Sequence, residues 1–224
     1  MKLSWKSEAP MLLLLLAMFG LAAWSWNGVP DRLPVHWNAA GQVDGWGGRT
    51  SGLLMLPIIA LVCYLVMAFI PRIDPGKANF AGFAGPYTLF RFAFLVVMAG
   101  LYAAMNAAFR GIHVNMTMVV LPLLGLLFMA VGWMMGRIQP NWTVGIRTPW
   151  TLSSRQSWDR SHRLGSKLFM VAGALFVLAG FVGTPWAFGA AIGSILAVVI
   201  VTIAYSYVVW KNDPDREPPI VGRR

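Results

Sequence analysis

Cysteine and charge are what this sequence of 224 residues has least of. Cys63 is the single cysteine, which excludes an intrachain disulfide and a cysteine-based metal cluster. Charged residues make up 12% of the chain against 58% hydrophobic residues, whereas soluble domains carry about a quarter charged residues. That imbalance makes lipid the expected solvent. Acidic residues are the scarcest, 8 Asp and Glu against 18 Lys and Arg, for a formal charge of +10. In a soluble chain such an excess would suggest nucleic acid. In a membrane protein, basic residues collect in cytoplasmic loops, so membrane lipids are the expected partner and no direct nucleic-acid partner is expected. Paired carboxylates, a serine nucleophile motif, a Gly-rich phosphate loop and metal-ligand spacing are also missing from the sequence, so no catalytic residue, cofactor or metal is expected.

What the sequence does have is long apolar runs. Stretches without Asp, Glu, Lys, Arg or His cover 10–26, 52–70, 92–109 and 116–136, each close to the roughly 20 residues that cross a bilayer. A fifth, 168–210, is about twice that length and must fold back. Gly183-Thr184-Pro185 is the turn, since Pro185 suits the first turn of the next helix. The expected fold class is an all-α polytopic integral membrane protein, a bundle of six transmembrane helices with a structured outer loop and an amphipathic inner-loop helix. Lys2 and Lys6 imitate the start of a signal peptide, but Leu21-Ala22-Ala23 before Trp24 is a poor cleavage site. With the N-terminus inside, Arg32, Arg49 and Arg110 fall on the outer side and the other basic residues fall inside. This bias predicts that both termini are cytoplasmic. No ionisable group is expected at membrane depth, which argues against an ion or proton pathway. Asn106, Thr117 and Thr202 are read as interhelical hydrogen bonders, and the Gly125/Gly132 and Gly173/Gly180 spacings as close helix packing.

Two loops carry the remaining information. The outer loop after span one is too rich in Pro and Gly for a helix. Leu33 to Trp37 reads as an extended piece, with turn signals at Asn38 to Gly41 and at Asp44-Gly45. Trp24, Trp26, Trp37 and Trp46 suit the outer interface. Asp31, His36 and Asp44 are possible metal ligands by type, but their spacing is not a recognised one and His36 is better read as a packing or hydrogen-bonding residue. The loop is expected to form a compact cap with a recognition surface at Pro34, His36, Trp37, Asn38, Gly41, Asp44 and Gly45. In the inner loop between spans four and five, Ser153 with Gln156 predicts a capping box and a helix starting near Ser154. On that helix Arg155, Asp159 and Arg163 form an i, i+4 ladder, while Trp158 and His162 share another face. Attraction to anionic lipid, about 1 kcal/mol per basic residue, is itself enough to explain the arginines.

Arg147 is less easily explained that way, lying between Asn141, Gly145 and Pro149. Asn141, Gly145-Ile146-Arg147-Thr148-Pro149-Trp150-Thr151-Leu152, Trp158 and His162-Arg163 resemble the signature segment of the SdpI family of bacterial membrane immunity proteins. Leu33 to Trp46, Leu56-Pro57 and Pro71-Arg72-Ile73-Asp74-Pro75 resemble the uncharacterised domain that precedes it in many members. The resemblance implies a two-helix domain over 1–75 with its extracytoplasmic loop and an SdpI-type four-helix domain over 76–211, while the three prolines, mixed charge and low apolar content of 212–224 predict a disordered tail. It also implies a bacterial cytoplasmic (inner) membrane location, immunity to a secreted toxic peptide and signalling to a cytoplasmic repressor of the ArsR type. In that scheme Asn141, Gly145 and Pro149 shape the inner loop, Arg147 donates to carbonyls or an anion, and His162 bonds near Trp158, within a motif completed by Thr148, Trp150, Thr151 and Arg163. Two other readings stand beside it. One is an enzyme acting on lipid headgroups or lipid-linked phosphate through Arg147, Arg155, Arg163 and His162, and the other is a membrane partner without a toxin.

Overall fold

A computed structural model describes residues 4–217. The elements run α1 (Trp5–Ser25), β1 (Arg32–Trp37), β2 (Val43–Gly48), α2 (Arg49–Ile73), a 3-10 helix (Lys77–Phe83), α3 (Ala84–Phe109), α4 (Met116–Met135), α5 (Pro149–Leu152), α6 (Arg155–Val182) and α7 (Pro185–Lys211). Among the described residues six helices are long and apolar enough to cross a membrane: α1, α2, α3 with its 3-10 lead, α4, α6 and α7. The chain is a multi-pass membrane protein. Both described termini, the hinge after α2 and the α4–α6 connection share one end of the bundle, here the terminal end. The β1–β2 hairpin and the α3–α4 connection form the other, the hairpin end.

Two packed groups make up the bundle. Met11, Leu15, Met18 and Ala22 recur at helical spacing along one face of α1 and bury against Leu53, Ala60 and Tyr64 of α2 and Leu95, Met98 and Tyr102 of α3. α3 therefore shares a core with the first two helices, although it follows the boundary expected at residue 75. α4 packs mainly on α6, and α6 on α7. The α4–α6 contact is set by glycines: a Cβ on Gly125 would come within 2.5 Å of the Gly173 carbonyl, one on Gly173 within 2.6 Å of the Gly125 carbonyl, and one on Gly132 within 2.8 Å of the Ser166 carbonyl. The small residues seen in the sequence thus let two backbones of the same chain approach closely.

The expectation that the spans lack ionisable groups needs correction. α1 begins before its apolar run and includes Glu8; α3 likewise includes Arg91. The two are buried together, with Arg91 Nη1 and Nη2 donating to Glu8 Oε1 and Oε2 at 3.0 and 2.7 Å and Tyr64 Oη donating to Oε2 at 2.8 Å. Burial is tolerable because the charges are paired and bidentate. Both groups lie in helical turns just before the charge-free stretches 10–26 and 92–109.

Local differences at the loops have equally simple causes. The outer loop is an antiparallel hairpin in which Leu33 to Trp37, expected to be extended, lies in β1 and pairs with β2. Asn38 to Gly41 is its turn, with Asn38 Oδ1 accepting from Ala40 N and Gln42 N. Asp44-Gly45, expected as a second turn, lies inside β2 beside a register shift, where Gly45 faces His36 and a Cβ would approach the His36 Cβ to 2.6 Å. At the terminal end the amphipathic segment is the first part of α6 and continues unbroken into the span. Its cap is Ser154, accepting from Ser157 N at 2.9 Å, instead of the Ser153/Gln156 box. Ser153 is drawn away because its hydroxyl donates to the Pro149 carbonyl of α5 at 2.7 Å. Arg155 pairs with Asp159 at 3.1 Å, while the Arg163 rung of the ladder is not formed among the described residues. Within the expected disordered tail, residues 212–217 pack on the α5–α6 segment: buried Asp213 accepts from Ser154 Oγ and Glu217 N donates to Ser153 O at 3.0 Å. Residues 218–224 lie outside the described residues.

Candidate functional site

The terminal-end loop starts where α2 stops. Asp74 caps that helix, its N–H donating to Ile70 O at 3.1 Å, and the residue is only 1% exposed. It accepts from Gly76 N, from Trp142 N at 3.0 Å and from Thr143 Oγ1 at 2.5 Å. One acidic side chain thus fixes the α4–α6 loop to the hinge after α2. Asn141 organises the next turn: Oδ1 accepts from Thr143 N and Val144 N at 3.0 and 2.6 Å, and Nδ2 donates to Gln139 O and Val144 O at 2.9 and 3.0 Å. All four hydrogen-bonding positions of the amide are used, so a carboxylate or hydroxyl could not replace it.

Gly145 then adopts φ +113°, open to glycine because it lacks a Cβ. A Cβ there would also approach His162 Nε2 to 2.5 Å. The reversed chain points Ile146 N at His162 Nε2, 3.0 Å away, while His162 Nδ1 donates to Trp158 O at 2.8 Å. One nitrogen accepts and the other donates, the pattern of a neutral imidazole. Trp158 stacks on the same ring at 4.1 Å and sends Nε1 towards Ile138 O at 3.4 Å. Thr148 and Thr151 form a reciprocal capping box on α5, with Pro149 at its first turn. Thr151 Oγ1 also donates to Ile146 O at 2.7 Å, and Thr148 Oγ1 meets Ser206 Oγ of α7 at 3.0 Å. Trp150 packs on Tyr207 of α7 at 5.2 Å.

The structure therefore brings Asn141, Gly145, Thr148, Pro149, Trp150, Thr151, Trp158 and His162 into one hydrogen-bonded unit. Arg147 and Arg163 project from it and are exposed. Arg147 makes no hydrogen bond or ion pair with the described residues. Sequence reasoning missed Asp74 as a site residue; its signal was an Asp before Pro75-Gly76 at a helix end, a turn-forming arrangement.

At the hairpin end, Leu33 is fully buried against α2, and Gly41, at φ +75°, lets the turn sit directly against Asn115, a position that a Cβ would close. Thr117 Oγ1 donates to Ala39 O at 3.1 Å, tying the turn to α4. Between hairpin and α3–α4 connection lies a cavity of about 680 Å³, lined in part by Pro34, Trp37, Gly41, Trp46, Phe109, Ile112 and His113. Of the recognition candidates, Pro34, Trp37 and Gly41 line it. His36 and Asp44 instead pair on the exposed side at 2.5 Å, and Asn38 and Gly45 shape the turn and the register shift. Asp31 pairs with Arg49 at 3.1 Å, so among the described residues the three possible ligands Asp31, His36 and Asp44 are not gathered.

Known proteins match both ends of this arrangement. Residues 137–208 match the SdpI/YfhL protein family, and residues 13–61 match a domain of unknown function, DUF1648. The chain is 23% identical over 185 residues to the immunity protein SdpI of Bacillus subtilis (strain 168), covering 82% of this chain and 86% of that protein. No solved structure matches it. The SdpI/YfhL segment spans the loop, α6 and most of α7, and the DUF1648 segment spans most of α1, the hairpin and half of α2. The chain is thus a multi-pass membrane protein that joins an SdpI/YfhL family segment at 137–208 to a DUF1648 segment at 13–61.

Proposed function

We propose that this protein is a bacterial cytoplasmic-membrane immunity protein that protects its host against a secreted toxic peptide. The observation that carries the reading is the near end-to-end correspondence with the immunity protein SdpI, over 82% of one chain and 86% of the other. The fold supports it with a hairpin cap tied to α4, at the end that the basic-residue count puts outside. The aromatic-lined cavity beneath the cap is open to an apolar peptide arriving from that side. At the opposite end the hydrogen-bonded loop holds Arg147 exposed to the cytoplasm, where a repressor of the ArsR type would find it.

The lipid-enzyme reading is weaker. Both nitrogens of His162 are committed to backbone groups and Asp159 is paired with Arg155, leaving neither poised as an acid or base. Expression of the chain in a bacterium sensitive to peptides secreted by relatives tests the proposal. Membrane potential is expected to survive challenge in expressing cells and collapse in empty-vector cells. Equal collapse in both, at verified membrane abundance, overturns it.

A further inference from the structure

The buried polar side chains of the terminal-end loop are bonded internally, and Arg147 is not. Asn141, Thr148, Thr151 and His162 are buried and bonded, whereas Arg147 is exposed without a partner among the described residues. Arg147 lines a cavity of about 500 Å³, within the roughly 300–1,000 Å³ of small-molecule pockets. Met135 of α4, Phe169 of α6 and Val199 and Ile203 of α7 supply apolar walls. Val199 and Ile203 are 41% and 42% exposed, on a helix surface that meets acyl chains in a bilayer, so the cavity is continuous with the lipid phase. Its threonines are already satisfied: Thr143 bonds Asp74, Thr148 meets Ser206, and Thr202 donates to Val198 O. What remains for an occupant is a largely apolar volume with one unpaired cation in its lining.

An acyl chain with an anionic head matches both features, because guanidinium binds phosphate through paired N–H donors. We propose that this cavity binds one anionic phospholipid of the surrounding membrane, with an acyl chain between α4, α6 and α7 and the headgroup phosphate on Arg147. This inference does not rest on the immunity reading and is tested by binding alone.

Native mass spectrometry of the purified full chain, titrated with dioleoyl phosphatidylglycerol, dioleoyl phosphatidylcholine or glycerol 1-phosphate, reads it directly. The wild type is expected to retain one phosphatidylglycerol at about tenfold lower concentration than phosphatidylcholine, a difference of one decade in affinity. Arg147→Gln should remove that preference, and Arg160→Gln, at an exposed arginine outside the cavity, should keep it. Equal retention of the two lipids by the wild type, or an unchanged preference in Arg147→Gln, overturns the proposal. Displacement by glycerol 1-phosphate alone at matching concentration would mean a soluble-anion site and overturns it too. Should Arg147→Gln fail to fold, wild-type retention must still weaken by about tenfold as the acyl chains are shortened, and no dependence on chain length refutes the lipid.

Discussion

Removing one partner of the Glu8–Arg91 pair should damage the bundle more than removing both. Arg91 is fully buried and the Glu8 side chain 9% exposed, so neither charge reaches water without moving α1 or α3. Glu8→Met strips Arg91 of two charge-assisted hydrogen bonds, and Arg91→Met leaves the Glu8 carboxylate with hydroxyl partners only. Breaking a buried pair on one side costs about 3–5 kcal/mol. At about 2–4 °C per kcal/mol for a chain of this size, each single substitution should lower Tm by roughly 6–20 °C. The double substitution leaves no buried charge, and its main loss is the Tyr64 hydroxyl bond, about 1 kcal/mol. Thermal unfolding of purified protein in detergent, followed by intrinsic tryptophan fluorescence, should therefore rank the double variant above both singles. A double variant whose loss equals the sum of the singles would refute the pairing argument.

The α4–α6 seam gives a second expectation: Gly173→Ala should cost about 1–3 kcal/mol by overpacking, whereas Gly20→Ala, with open space around its Cβ, should leave Tm unchanged in the same assay. Asp74→Ala removes the acceptor of Gly76 N and Trp142 N, so amide exchange at residues 76 and 142 should rise by the factor that about 1–3 kcal/mol implies, read by hydrogen-exchange mass spectrometry. His162→Phe keeps a ring beside Trp158 but leaves Ile146 N without its acceptor; about 1–3 kcal/mol of thermal stability should be lost, while His162→Phe at wild-type Tm would contradict the neutral-acceptor role. Arg147→Ala should change stability by no more than about 0.5 kcal/mol, as for surface positions with no partner.

Much of the bundle was legible because hydrophobic runs of spanning length and the Gly183-Thr184-Pro185 turn are local signals. The pairing of Glu8 with Arg91, 83 residues apart, and of Asp74 with Thr143, 69 apart, depends on tertiary contact and leaves little local trace. β2 was hidden because its Val43-Asp44-Gly45-Trp46-Gly47-Gly48 stretch has weak intrinsic strand preference. It becomes a strand through pairing with β1, where glycines admit the register shift. In the inner loop, Asn141, Gly145 and His162 could be picked out by residue type and position, but which atoms they bond could not. Arg147 was visible as a member of the motif, whereas its isolation from the polar unit that holds it follows only from the folded loop.

The most direct test of the immunity account is deletion of the gene in its own host, with wild type or Arg147→Ala restored at equal membrane abundance. Survival and membrane potential are measured as cells meet peptides secreted by relatives. The account predicts sensitisation on deletion, rescue by wild type and reduced rescue by Arg147→Ala. Deletion cells that withstand every secreted peptide as well as wild-type cells would contradict it.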